Sequence, residues 1–113
     1  MSQALAVIVS YKFKADVAEP DIHALLREHR RTVLAEGLGT ARQPWVLQSL
    51  KDPRQYLEIF EWKDEAAGRG AAGNPHVFAV WTKFGQMCEK VGMSLGKIAE
   101  ASQEFAHFRP VEV

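Results

Sequence analysis

The sequence predicts an α+β domain with the element order β-α-β-β-α-β, and three observations carry that expectation. Segments with a two-residue apolar period open the chain, occupy its centre and close it. Two segments with a helical period separate them, each beginning at a proline suited to the first turn of a helix, Pro20 and Pro75. The run Lys51-Asp52-Pro53-Arg54 is turn chemistry that joins the central pair of strands as a hairpin. Elements in this order fit the split-βαβ, ferredoxin-like arrangement: a four-stranded antiparallel sheet with both helices on one face.

The first strand covers about residues 4–14, where Leu5, Val7, Val9, Tyr11 and Phe13 alternate with Ala6, Ile8, Ser10 and Lys12. Its second face still carries Ala4, Ala6 and Ile8, so part of that face is expected to be covered, a second subunit being one candidate. The first helix runs from Pro20 to about Glu36 with Ile22, Leu25, Leu26, His29 and Val33 on one stripe, and Gly37 is its left-handed stop. The second strand is read over Arg42–Leu50, with Pro44 placing its start at an edge or bulge. The third spans Gln55–Trp62, where Tyr56, Glu58, Phe60 and Trp62 alternate with Leu57, Ile59 and Glu61; apolar residues on both faces suit a central strand.

After Trp62, Lys63–Ala67 reads as a short helical turn and Gly68–Gly73 as a flexible run. Asn74-Pro75 then starts the second helix, with Asn as N-cap. Val77, Val80, Trp81, Phe84, Cys88 and Val91 form its buried stripe, and Gly92 ends it. A connector with a short turn near 97–101 leads to a last strand at about Glu104–Val111, carrying Phe105, His107, Arg109 and Val111 on one face.

At 113 residues the chain is expected to be a single domain over its whole length, 1–113. Fourteen basic against fourteen acidic residues leave no net charge, which removes the attraction that nucleic acids and anionic membranes require. No apolar stretch approaches the roughly 20 residues of a membrane span, and neither a signal segment nor a disulfide is indicated, since Cys88 is alone; a cytoplasmic protein is expected. Zero net charge with three Trp, two Tyr and six Phe makes a sticky surface that favours a partner.

The segment Tyr56-Leu57-Glu58-Ile59-Phe60-Glu61-Trp62-Lys63-Asp64-Glu65-Ala66-Ala67, followed by Asn74-Pro75-His76-Val77-Phe78, resembles the dimeric α+β barrel superfamily, and within it the antibiotic-biosynthesis monooxygenase-like domains. There a strand ends in Trp-x-Asp/Glu-x-x-Ala and a Ser/Asn-Pro-His helix start follows; Phe105-Ala106-His107-Phe108 is similar to the last strand. The resemblance implies a homodimer with sheets packed face to face and a pocket in each subunit between sheet and helices. It also implies cofactor-independent oxidation of phenols among the founding members, while cousins degrade haem, isomerise small acids or have no established reaction. Where many relatives carry a His after the Trp, this chain has Ala71, so His76 alone carries over.

The literal G-x-G-x-x-G at Gly68–Gly73 lacks the strand-to-helix context of a dinucleotide site, Trp62 lying six residues upstream, and is read as a lid over the pocket. Gly92–Lys97 is one residue short of a P-loop. His23 and His29, six apart, face different sides of a helix, and no ligand spacing marks a metal site; a haem would need only one axial His. His29, on an apolar stripe, is either a paired core histidine or a general base. His76 is either a surface residue of the helix start or a neutral donor or acceptor, because the helix dipole disfavours its cation there. Tyr11, Phe13, Trp62, Phe78, Trp81 and Phe84 either fill a core or line a pocket for a flat aromatic ligand. Cys88 reads as an inert core thiol, and no serine has the setting of a nucleophile.

The function expected is a cofactor-independent monooxygenase-like protein that takes a proton from a phenol or quinol through His29 or His76, without metal or cofactor. The alternative is a non-catalytic or stress-related ligand-binding homodimer on the same fold.

Overall fold

The computed structural model describes residues 3–113. Its strands are β1 (Leu5–Phe13), β2 (Trp45–Ser49), β3 (Gln55–Trp62), β4 (Cys88–Val91) and β5 (Phe108–Val111), and its helices α1 (Glu19–Ala35), α2 (Glu65–Gly70) and α3 (Pro75–Met87). The strands form one sheet in the order β4-β1-β3-β2-β5 with every pairing antiparallel. The first four strands of that order reproduce the ferredoxin-like arrangement, and β5 is added at the β2 edge.

Alternation decides the two faces. Val7 pairs with Phe60, Val9 with Glu58 and Tyr11 with Tyr56, and these side chains point toward the helices. Tyr11, Phe13, Val46 and Tyr56 of the sheet pack with Ile22, Leu25 and Leu26 of α1 and Val80 and Phe84 of α3 in one core. The expected α1 stripe, His29 included, is buried. Gly37, at φ 70°, ends α1 in the left-handed region that glycine enters without strain. Asn74 caps α3 by accepting from His76 N at 3.0 Å and Val77 N at 3.2 Å, and its Nδ2 donates to Glu36 Oε1 at 2.9 Å, tying the start of α3 to the end of α1.

Four expectations are corrected. The helix expected to reach Gly92 ends at Met87, and Cys88–Val91 becomes β4 against β1. The spacing of Cys88 and Val91 continues the helical stripe, but the open edge of β1 supplies backbone partners that a further helical turn would leave unmet. The run Gly68–Gly73 is not a loose lid: Asp64 caps α2 by accepting from Ala67 N at 2.8 Å, and a 3-10 turn over Ala71–Gly73 buries Ala71 completely. The absence of a side chain at Gly68 lets α2 lie close against Trp62, since a Cβ there would meet the indole at 3.0 Å. The second strand begins at Trp45, after Pro44, which has no N–H to pair.

The fourth correction concerns the last strand, which is confined to Phe108–Val111 and lies beside β2, not β1. Phe105 is 80% exposed and His107 is exposed, outside any strand. The chain between β4 and β5 instead crosses part of the outer sheet face. Ser10 Oγ donates to Met93 O at 2.7 Å, Ala99 N to Gln55 Oε1 at 3.3 Å, and Ser49 Oγ to the buried Glu100 Oε2 at 2.8 Å. The rest of that face leaves Ile8 47% and Trp45 62% exposed, both opposite Ile59 in the strand registers. Among the described residues, no helix is long and apolar enough to cross a membrane.

Candidate functional site

A cavity of about 400 Å³ lies between the sheet and the helices. β1 contributes Val7, Val9 and Tyr11, β3 Phe60 and Trp62, α1 His29, α3 Trp81 and Phe84, α2 Gly68 and β4 Val91. Such a volume and such a lining suit a small, flat, largely apolar ligand.

The polar groups at this wall form a chain. The Trp81 indole Nε1–H donates to His29 Nε2 at 3.0 Å. An indole nitrogen only donates, so His29 Nε2 is the bare acceptor and Nδ1 carries the proton. That Nδ1–H lies 3.0 Å from Glu58 Oε1 and 3.1 Å from Oε2. The Tyr11 hydroxyl donates to the same Oε1 at 2.7 Å. Glu58 receives both donors and is 2% exposed, as is His29. Burial, then the Glu58 charge and the hydrogen bond to it, hold the Tyr11 hydroxyl well above its ordinary pKa, so Tyr11 acts as a donor.

The aromatic rings hold His29 in place. Phe60 and Phe84 meet its ring edge to face, at centroid distances of 5.3 and 5.4 Å, and Tyr11 stacks on Phe84 at 4.5 Å. Beyond His29 and Glu58 lies a cleft of about 20 Å³, the size of one water, reached from Thr40, Arg42 and Glu61. Arg42 is spent there on Glu61, Nε to Oε2 at 2.7 Å.

Of the residues anticipated from sequence, the fold brings Tyr11, His29, Trp62, Trp81 and Phe84 to the cavity. Phe13 is fully buried in the neighbouring core and does not line it. His76 is exposed in the first turn of α3, and Phe78 is 58% exposed on the same helix; the pocket positions expected for both are corrected. The reason is helical phase: Val77, Val80 and Phe84 face inward, which turns 76 and 78 outward. Glu58 is the member of this hydrogen-bonded chain that sequence reasoning passed over. Its signal was a charged side chain at an inward position of the alternation Tyr56, Glu58, Phe60, Trp62.

A haem in this cavity would need His29 Nε2, which the Trp81 N–H occupies; His23 Nε2 lies 3.4 Å from the Tyr56 hydroxyl away from the cavity, and His76 and His107 are exposed outside it. Among the described residues no group of three or more His, Cys, Asp or Glu could hold a metal ion. Burial pushes the Cys88 thiol up to about 12, against a weaker opposing pull from Lys14, which fits an inert core thiol.

No family model matches the sequence, and no curated protein matches it. Solved structures do. SnoaB from Streptomyces nogalater, described as a cofactor-independent oxygenase, superposes with a TM-score of 0.66 at 12% identity, over 88% of this chain and 100% of that one. Rv0793 from Mycobacterium tuberculosis gives 0.60 at 19% identity, over 86% and 100%. A crystal structure of an antibiotic biosynthesis monooxygenase gives 0.59 at 24% identity, over 76% and 90%. At these identities the likeness concerns the arrangement of the chain, and it covers most of each partner. The chain has the antibiotic-biosynthesis monooxygenase-like fold.

Proposed function

We propose that the chain acts as one domain and as a cofactor-independent, monooxygenase-like protein on a small phenol or quinol held in the 400 Å³ cavity. The observation that carries this reading is the Trp81–His29–Glu58–Tyr11 chain at the wall of an aromatic cavity. His29 Nε2 is the proton acceptor, reached when a substrate hydroxyl replaces the Trp81 N–H. Glu58 holds the tautomer and stabilises the imidazolium that forms, the role a buried carboxylate plays behind a general-base histidine. The substrate anion reduces oxygen itself. One oxygen atom bonds to a ring carbon; the other leaves as water with the hydroxyl and ring hydrogens, giving a quinone and needing no outside reductant. SnoaB, a cofactor-independent oxygenase with the same fold, supports this chemistry.

The test is oxygen uptake with reactive quinols and phenols. Turnover should exceed the uncatalysed rate, His29→Ala should abolish it while ligand binding stays within about tenfold, and the exposed His76→Ala should leave it unchanged. Unchanged turnover in His29→Ala removes the base.

The Trp81 contact favours a second reading, since it closes His29 Nε2 in the absence of ligand. On that reading the protein is a non-catalytic small-ligand binder, and no phenol or quinol that binds should consume oxygen above background.

We also propose a homodimer through the outer sheet face. Ile8 and Trp45 leave an apolar area there that a second copy would cover. Trp45→Lys should convert a dimer to a monomer in light scattering; a monomeric wild type overturns the assembly.

A further inference from the structure

The cavity wall has an unusual balance of charge. Among the described residues, neither Lys nor Arg lines it. Directly behind Tyr11 and His29 stands the Glu58 carboxylate, 2% exposed, and both of its partners are neutral. Tyr11 is a protonated hydroxyl. His29 is neutral because Trp81 donates to its Nε2, which leaves only one ring proton, on Nδ1. Glu58 accepts from two groups and donates to none, the pattern of an ionised carboxylate. Two cations, Arg30 and Arg42, line the smaller cleft on the far side of Glu58 and not the cavity, and Arg42 is paired with Glu61.

The donors are committed in the same way. The Tyr11 hydroxyl, the His29 Nδ1–H and the Trp81 indole N–H are all used within the protein. The Trp62 indole is the one other N–H among the lining side chains described, and it is neutral. It can satisfy a carbonyl or ether oxygen, and it cannot neutralise a carboxylate.

From this we infer that Glu58 makes the cavity select uncharged hydroxylated aromatic ligands and reject those that already carry a carboxylate or other anionic group. This rests on the cavity being the ligand site of the proposed function, and it deepens that reading by naming the charge of the ligand. A neutral phenol brings a hydroxyl proton to His29 Nε2 in place of the Trp81 N–H, and the indole N–H it displaces is itself neutral. An anion brings a second negative charge into a low-dielectric space beside Glu58, with no cation on the lining to offset either. Proton transfer to His29 preserves the balance, because the imidazolium forms next to Glu58 as the substrate becomes an anion.

The experiment is calorimetric titration of the full chain with 2-naphthol and with 2-naphthoate near neutral pH. The two probes are bicyclic and similar in size; a phenolic hydroxyl with an ordinary pKa of about 10 is neutral there, and a carboxyl of about 4 is ionised. Wild type should bind 2-naphthol at least about tenfold more tightly than 2-naphthoate. Glu58→Gln keeps the shape and removes the charge, and the gap should shrink to about threefold or less. Because Glu58 is buried, a second variant guards against a folding failure. Val91→Lys places a cation at the rim of the cavity from a half-exposed position on the edge strand β4, and it should likewise raise 2-naphthoate affinity.

Equal or tighter binding of 2-naphthoate by wild type overturns the inference, as does a gap that neither variant narrows. Failure of both probes to bind overturns it together with the ligand cavity. A gap that persists without any oxygen uptake supports the charge selection and sinks only the oxygenase reading. Oxygen uptake with a carboxylated quinol as fast as with its neutral counterpart does the reverse.

Discussion

The Trp81 indole N–H points at His29 Nε2 across 3.0 Å, and together with the Glu58 carboxylate at 3.0 Å from Nδ1 it leaves the imidazole proton on Nδ1. With Nε2 accepting, Nδ1–H is free to reach Glu58, and the carboxylate then has two donors, His29 and Tyr11. Four segments distant in sequence meet in a single hydrogen-bonded line: α3, α1, β3 and β1.

Long-range proton–nitrogen spectra should report His29 as the Nδ1–H tautomer at neutral pH, with an unprotonated Nε2. In Trp81→Phe the Nε2 resonance should shift as its donor is lost, while Nδ1 stays protonated by virtue of Glu58. A Nε2–H tautomer in wild type would contradict the arrangement.

Removing the shared acceptor should be expensive. Glu58→Ala leaves the His29 N–H and the Tyr11 O–H buried without partners, and a loss of about 2–5 kcal/mol is expected in urea unfolding. Glu58→Gln retains one acceptor oxygen and should lose about 1–2 kcal/mol. A neutral effect of Glu58→Ala would show that the chain of hydrogen bonds does not exist in solution.

Alkaline pH tests the burial of the tyrosines. Burial, then the Glu19 charge, raises Tyr56 to about 12 against a smaller pull from Arg109, and Tyr11 is raised well above its ordinary value. The unfolded chain releases these protons near pH 10, while the folded chain still holds them. Stability is therefore intact below pH 10 and falls as pH rises from 10 through 12. Tyrosinate absorbance should stay low in the folded protein at pH 10 to 11 and rise together with unfolding. Ordinary titration of both tyrosines before unfolding would contradict their burial.

Cys88 offers a simpler check. With its thiol pushed up to about 12 by burial, it should react with an aromatic disulfide reagent at pH 8 at least about a hundredfold more slowly than in denaturant. Equal rates would place the thiol at the surface.

Gly68 ties α2 to the cavity. An added Cβ would meet the Trp62 indole at 3.0 Å, so the ring must shift. Gly68→Ala should alter the near-ultraviolet circular dichroism and weaken 2-naphthol binding, while stability changes by no more than about 1 kcal/mol because alanine favours the helix. Unaltered ring signals would mean that α2 stands further from Trp62.

The sequence by itself determined the order of the main elements, the inward stripe of α1 with His29 at its centre, the Asn74 cap of α3 and the hairpin between β2 and β3. These depend on local period, capping and turn chemistry, which neighbouring residues carry. The tertiary structure decided what depends on distant partners. Cys88–Val91 continues a helical stripe in sequence, yet becomes a strand because the edge of β1 is open to it. The glycine-rich run is helical because Asp64 caps it and Trp62 accepts its small residues. Glu58 belongs to the site because α1 and β1 bring His29 and Tyr11 to it, 29 and 47 residues away along the chain. No local pattern encodes a meeting of that kind: a buried carboxylate is tolerable only when its donors arrive, and folding brings them.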